Sequence, residues 1–178
     1  MEPGKVAKEN YAYSKHGSCC VLAAIEPLTG KRFAHVRVER KKKQFALFMK
    51  ELCKKYPKAK KIIIVLDNLN THGYSAFYQE FDAELAAQLT EKIEFVFTPK
   101  SSSWLNMIEI EFSALSRQCL NRRIPCMKKL ESEVLQFFKE RTLKGIKINW
   151  QFTQENAREK LNRRYTEVNK ANLKYNKT

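Results

Sequence analysis

Apolar positions along this chain change their period from stretch to stretch, and each period predicts an element. Over residues 32–39, Phe33, His35, Arg37 and Glu39 alternate with Ala34, Val36 and Val38, the pattern of a half-buried strand. A short β-rich run over 18–26 precedes it, and Pro27-Leu28-Thr29-Gly30-Lys31 joins the two as a hairpin. Phe45, Phe48, Met49 and Leu52 then recur at helical spacing, predicting a helix over 41–55 that stops before Pro57. Ile62–Leu66 is a continuous β-branched run, which suits a strand buried on both faces, as in a parallel sheet. One or two short helices follow within 71–90, and a strand over Ile93–Phe97 is closed by Pro99. Leu105, Ile108, Phe112, Leu115 and Cys119 form one helical stripe. Leu130, Val134, Leu135, Phe137 and Phe138 form another, ending near Gly145.

Hairpin, helix, buried strand, helices, strand, helix is the order of an α/β layered domain. The expected division is an extended polar arm over 1–17, a folded domain over 18–145 and a basic, helix-prone tail over 146–178. A chain of 178 residues is long enough to hide roughly 70% of its unfolded surface. Its charge changes the picture more than its size does. Lysine and arginine outnumber the acids by 15, and self-repulsion on that scale suits a polyanionic partner, so nucleic acid leads. The longest apolar runs are too short to span a bilayer, and no membrane partner is expected. Five cysteines without a CxxC spacing fit buried thiols in a reducing cytoplasm better than disulfides or a zinc site.

Two acidic segments could carry chemistry. Asp67 follows the apolar strand directly and opens Asp67-Asn68-Leu69-Asn70-Thr71-His72. Asp and Asn are ordinary turn formers, so this can be a plain turn. The functional reading beside it is a carboxylate held at the carboxyl end of a parallel strand, where open α/β sheets place their ligands. The second segment, Asn106-Met107-Ile108-Glu109-Ile110-Glu111, has the N-x-x-E spacing of a capping box. Glu109 and Glu111 point about 200° apart on a helix, so only one of them can face a site near Asp67. Both border the apolar stripe, and spacing does not choose between them. Only two aspartates occur in the chain, Asp67 and Asp82, and none precedes Asp67.

The stretches IIIVLDNLNTH, FVFTPKSSSWLNMIEIEFSALSRQCLNRRI and INWQFT strongly resemble bacterial insertion-sequence transposases of the mariner superfamily, over about residues 3–165. These are DDE enzymes with a ribonuclease-H-like catalytic domain. The resemblance implies that Asp67 is the second catalytic acid and that Glu109, through Leu-Asn-x-x-Glu, is the third. It also implies a two-metal site holding Mg²⁺ or Mn²⁺, DNA strand cleavage and strand transfer, and transposon ends and target DNA as partners. Carboxylates are ligands that such ions accept.

In that family the first catalytic aspartate lies on the central strand upstream of the hairpin, and this chain shows no aspartate there. The expected fold is therefore a ribonuclease-H-like domain lacking its first β-strand, a carboxyl-terminal transposase part that is inactive alone. Two sheet fragments with open edges would favour self-association or association with an intact transposase. The alternative is a non-catalytic basic DNA-binding remnant that interferes with intact transposase. His72 could orient Asp67 or a phosphate. Trp104 could stack on a base or enter a helix. Lys100, Arg117, Arg122 and Arg123 flank the acidic block and could meet DNA phosphates. The expected location is the bacterial cytoplasm, on the nucleoid.

Overall fold

Residues 18–99, 102–156, 158, 159 and 162 are described in the computed structural model; the expected arm over 1–17, Lys100 and the tail beyond residue 162 lie outside them. Strands β1 (Cys20–Ile25) and β2 (Arg32–Arg37) pair antiparallel, from Cys20 opposite Arg37 to Ile25 opposite Arg32. Their turn closes through the Glu26 N–H donating to the Lys31 carbonyl at 2.9 Å. Gly30 takes a φ of +76°, which side chains disfavour. One hairpin face (Leu22, Ala24, Phe33) packs toward α1 (Lys42–Lys55), whose Phe45, Phe48, Met49 and Leu52 are buried. The helix ends at Tyr56, before Pro57, with Lys54 and Lys55 in its last turn, where the helix dipole favours cations.

Strand β3 (Ile62–Leu66) runs parallel to β4 (Ile93–Phe97), with Ile62 opposite Ile93 and Leu66 opposite Phe97. The crossover between them carries α2 (Ser75–Glu80) and α3 (Ala83–Lys92); the Asp82 carboxylate caps α3 by accepting from the Leu85 N–H at 2.8 Å. Ile62, Ile64, Ile93 and Phe95 join the core built on α1 to α3.

The expectation that β3 is buried on both faces fails. Ile63 is 65% and Val65 51% exposed, because successive side chains point to opposite faces and only one face has helices packed over it among the described residues. The two strand pairs also form separate two-stranded sheets: β1 bonds only to β2, and β3 only to β4. Each strand of the two pairs thus has one hydrogen-bonding edge open among the described residues.

A second core covers the opposite hairpin face, where Ala34 and Val36 meet Leu115, Cys119, Val134 and Phe138. The single helix expected over 105–119 is divided. Ser103–Leu105 is a 3₁₀ turn, α4 spans Ile108–Leu115, and Ser116–Leu120 winds as a π-helical turn. Asn106 makes the first break: its backbone is extended, and its side-chain oxygen accepts from the Ile108 N–H at 3.3 Å. The side chain thus bonds two residues on rather than to Glu109, and the Asn106 N–H goes to the Ser103 carbonyl, so the expected capping box gives way to a local Asn turn. Helix α5 (Met127–Leu143) lies on β2 and stops at Gly145, which adopts a left-handed φ of +61°. All cysteines among the described residues are free, Cys53 and Cys119 buried, Cys19 and Cys126 exposed. No helix among these residues is long and apolar enough to cross a membrane.

The mixed α/β layering, with helices on the faces of small sheets, agrees with a ribonuclease-H-like domain.

Candidate active site

Asp67 is the first residue beyond β3, and Thr98 is the first beyond β4. Parallel register therefore sets the two side by side at the carboxyl ends of the strands. The Thr98 N–H extends the ladder to the Leu66 carbonyl at 2.9 Å, and the Asn68 side-chain amide donates to the Thr98 carbonyl. Asn68 thus ties the two strand ends together and shapes the turn. The turn continues with the His72 N–H donating to the Leu69 carbonyl at 2.8 Å, and Gly73 takes a φ of +145°.

His72 is held from below. Its ring stacks on Phe45 with centroids 4.7 Å apart, and Phe45 in turn stacks on Phe77 inside the core. This brings His72 Nδ1 to 2.9 Å from Asp67 Oδ1. The two atoms touch, but off the hydrogen-bond direction, so both remain buried without a hydrogen-bond partner. Thr98 Oγ1 is buried and unpartnered as well. The Asp67 side chain is 40% exposed even though Oδ1 is covered, so its outward surface meets solvent. Asp67, Asn68, Leu69, Thr98, Pro99 and Ser103 wall a cleft of about 270 Å³.

Unpartnered buried polar atoms cluster where an ion or ordered water completes them. Here the unpartnered atoms are the Asp67 carboxylate oxygen, the Thr98 hydroxyl and His72 Nδ1, which lies against that oxygen; the two oxygens are of the hard kind that Mg²⁺ and Mn²⁺ prefer. On that test the Asp67 end of the cleft fits part of a divalent-cation site. Among the described residues no group of three or more His, Cys, Asp or Glu side chains is gathered as a metal-holding set.

Glu109 and Glu111 separate clearly. Glu109 stands exposed in the first turn of α4. It lies outside the cleft wall, although Ser103 of the same segment belongs to it. Glu111 is fully buried and grips two arginines, Arg32 at 2.8 Å and Arg141 at 2.9 Å, so its oxygens are committed inside the protein. Burial pushes the Glu111 carboxyl up, but the hydrogen bonds and charges of both guanidiniums outweigh it and hold the group at about 2. Of the two acids only Glu109 is free for a ligand.

The remaining candidates have mixed placements. Trp104 lies in the 3₁₀ turn and meets Phe152 edge-on at 5.0 Å. Arg122 is engaged by Glu133, and its Nε donates to the Cys119 carbonyl at 3.3 Å. Arg117 Nε donates to the Ser113 carbonyl at 3.3 Å from an exposed position, and Arg123 is exposed. Sequence reasoning passed over Thr98 and the Arg32–Glu111–Arg141 cluster. Thr98 could have been found by matching the ends of the two predicted parallel strands. The cluster joins residues 79 and 30 positions apart and leaves no local signal.

No curated protein and no solved structure matches this chain. The family described as DDE superfamily endonuclease matches residues 1–131, well over half the chain. The chain belongs to the DDE superfamily endonucleases.

Proposed function

We propose that this chain supplies two acids, Asp67 and Glu109, to a two-metal DNA strand-cleaving and strand-joining site of the mariner type. The third carboxylate would come from a strand outside the described residues, seated between β1 and β3. The observation that carries this is Asp67 itself: a carboxylate on a rigid strand end, with a covered oxygen that has no hydrogen-bond partner, beside an open cleft. Support for an added strand comes from the two separate strand pairs, each strand of which has an open edge among the described residues; the place between the pairs is what the transposase resemblance implies.

When bound, a Mg²⁺ or Mn²⁺ pair would activate a water or 3′-hydroxyl for attack on phosphorus and neutralise the departing oxygen. The chain's own residues set the geometry. His72, braced on Phe45, lies against the Asp67 carboxylate, and Asn68 holds the β3 and β4 ends together beneath it. The excess of 15 positive charges draws the DNA backbone toward the protein. With two of three acids the chain binds DNA but does not cut it.

The test is nicking of supercoiled plasmid in Mg²⁺ or Mn²⁺. The chain is assayed alone and co-expressed with the amino-terminal, aspartate-bearing part of an intact family member. No nicking alone is expected, and nicking by the complemented pair that disappears in Asp67→Asn and in Glu109→Gln. Asp67-dependent nicking by the chain alone would show that the third ligand lies within it. Complemented nicking that survives both substitutions would remove these acids from the site. DNA binding with no nicking under any complementation would favour a non-catalytic binding remnant.

A further inference from the structure

Helix α4 has only eight residues and no side-chain bond from its capping residue Met107, so local forces do little to hold its direction. Its buried face does that: Glu111, Ala114 and Leu115. Within that face the directional contact is Glu111. Arg32 donates Nε to Oε2 and Nη2 to Oε1, both at 2.8 Å. Arg141 donates Nε to Oε2 at 2.9 Å and Nη2 to Oε1 at 3.0 Å. Arg32 is itself anchored to the Gly30 carbonyl and to the Ile146 carbonyl, the latter at 2.8 Å. One carboxylate therefore joins α4 to the hairpin turn, the start of β2, the end of α5 and the loop after it.

Two planar forks on one carboxylate admit a narrow range of orientations. An apolar side chain would fill this place with less desolvation cost, since buried ion clusters are poor sources of stability. What the charged cluster adds is direction. Residues two apart on a helix diverge by about 200°, so turning Glu111 inward turns Glu109 outward. We infer that Glu111, clamped by Arg32 and Arg141, is the positioning residue that fixes the outward set of Glu109 on α4, from which Glu109 would reach a metal. This rests on Glu109 being a metal ligand, as proposed above.

The test titrates Mn²⁺ against the full 178-residue chain, reading free Mn²⁺ by electron paramagnetic resonance, with circular dichroism as the check on folding. Glu109→Gln should weaken Mn²⁺ binding about tenfold or more. Glu111→Gln should weaken it about tenfold although it contacts no metal, in line with the effect of outer partners on metal affinity. In the double variant the two losses should not multiply, because Glu111 acts through Glu109. Arg141→Lys keeps the charge but loses the fork; it should cost about threefold, and it serves if Glu111→Gln does not fold. Wild-type affinity in folded Glu111→Gln or in Arg141→Lys, with Glu109→Gln weakened, overturns the positioning role alone, as do multiplying losses. Wild-type affinity in Glu109→Gln overturns the ligand assignment, and the positioning role with it.

Discussion

Acid should weaken this fold in part through one buried carboxylate. The Glu111 carboxyl titrates at about 2 in the folded chain against an ordinary 4.5. That gap corresponds to about 3 kcal/mol of stability, from roughly 1.4 kcal/mol per tenfold change in proton affinity. Because the folded value is the depressed one, the contribution is complete above pH 4.5 and fades as pH falls from there toward 2. Glu111→Gln removes the charge and leaves Arg32, whose side chain is wholly buried, facing a neutral amide. Breaking a buried pair from one side typically costs about 3–5 kcal/mol. At about 2–4 °C per kcal/mol for a domain of this size, the variant should melt roughly 6–20 °C lower at neutral pH. The assay is urea unfolding followed by far-UV circular dichroism, for wild type and variant, at steps from pH 6 to 2.5. Repulsion among the many lysines and arginines weakens both proteins alike, so the difference between them isolates Glu111. That difference should be largest near pH 6 and should narrow below pH 4.5. Parallel loss of stability in the two proteins across that range would refute the assignment.

Three further outcomes follow from other parts of the molecule. Gly30→Ala should destabilise by about 1–3 kcal/mol in thermal melts, because its Cβ would come within 2.6 Å of the Ile146 carbonyl oxygen at a positive φ. Phe77→Ala, which empties the centre of the aromatic core on α2, should cost about 3–5 kcal/mol in the same assay. Duplex DNA should bind without sequence preference, with log affinity falling linearly in log salt at about 0.9 per phosphate neutralised; fluorescence anisotropy that is flat between low and physiological salt would contradict this.

The elements that depend on local period were legible in the sequence. Phe45, Phe48, Met49 and Leu52 announced α1, and the Ile62–Leu66 and Ile93–Phe97 runs announced the two parallel strands. What periodicity could not show was how many faces of β3 are covered. A β-branched run reads the same whether one or both sides are packed, and Ile63 and Val65 proved exposed. The break at Asn106 was hidden for a related reason: the apolar stripe crosses it, and only the side chain's competition for the backbone reveals it. Asp67 could be singled out because a strand end is a local feature. Spacing could not choose between Glu109 and Glu111, since the choice depends on Arg32 and Arg141, which reach Glu111 from distant parts of the chain. The contact of His72 with Asp67 was within reach as an alternative, being five residues away; its brace on Phe45 was not.

The claim that most needs testing is that Asp67 and Glu109 address the same metal pair. Replacing Mg²⁺ with Fe²⁺ in the complemented protein, then adding ascorbate and peroxide, generates hydroxyl radicals that cut the backbone beside the bound metal. Cuts are predicted at two places at once, next to Asp67 at the end of β3 and next to Glu109 in the first turn of α4, and both should be suppressed by excess Mg²⁺. Cutting at only one of these places, or cutting elsewhere, would contradict the shared site.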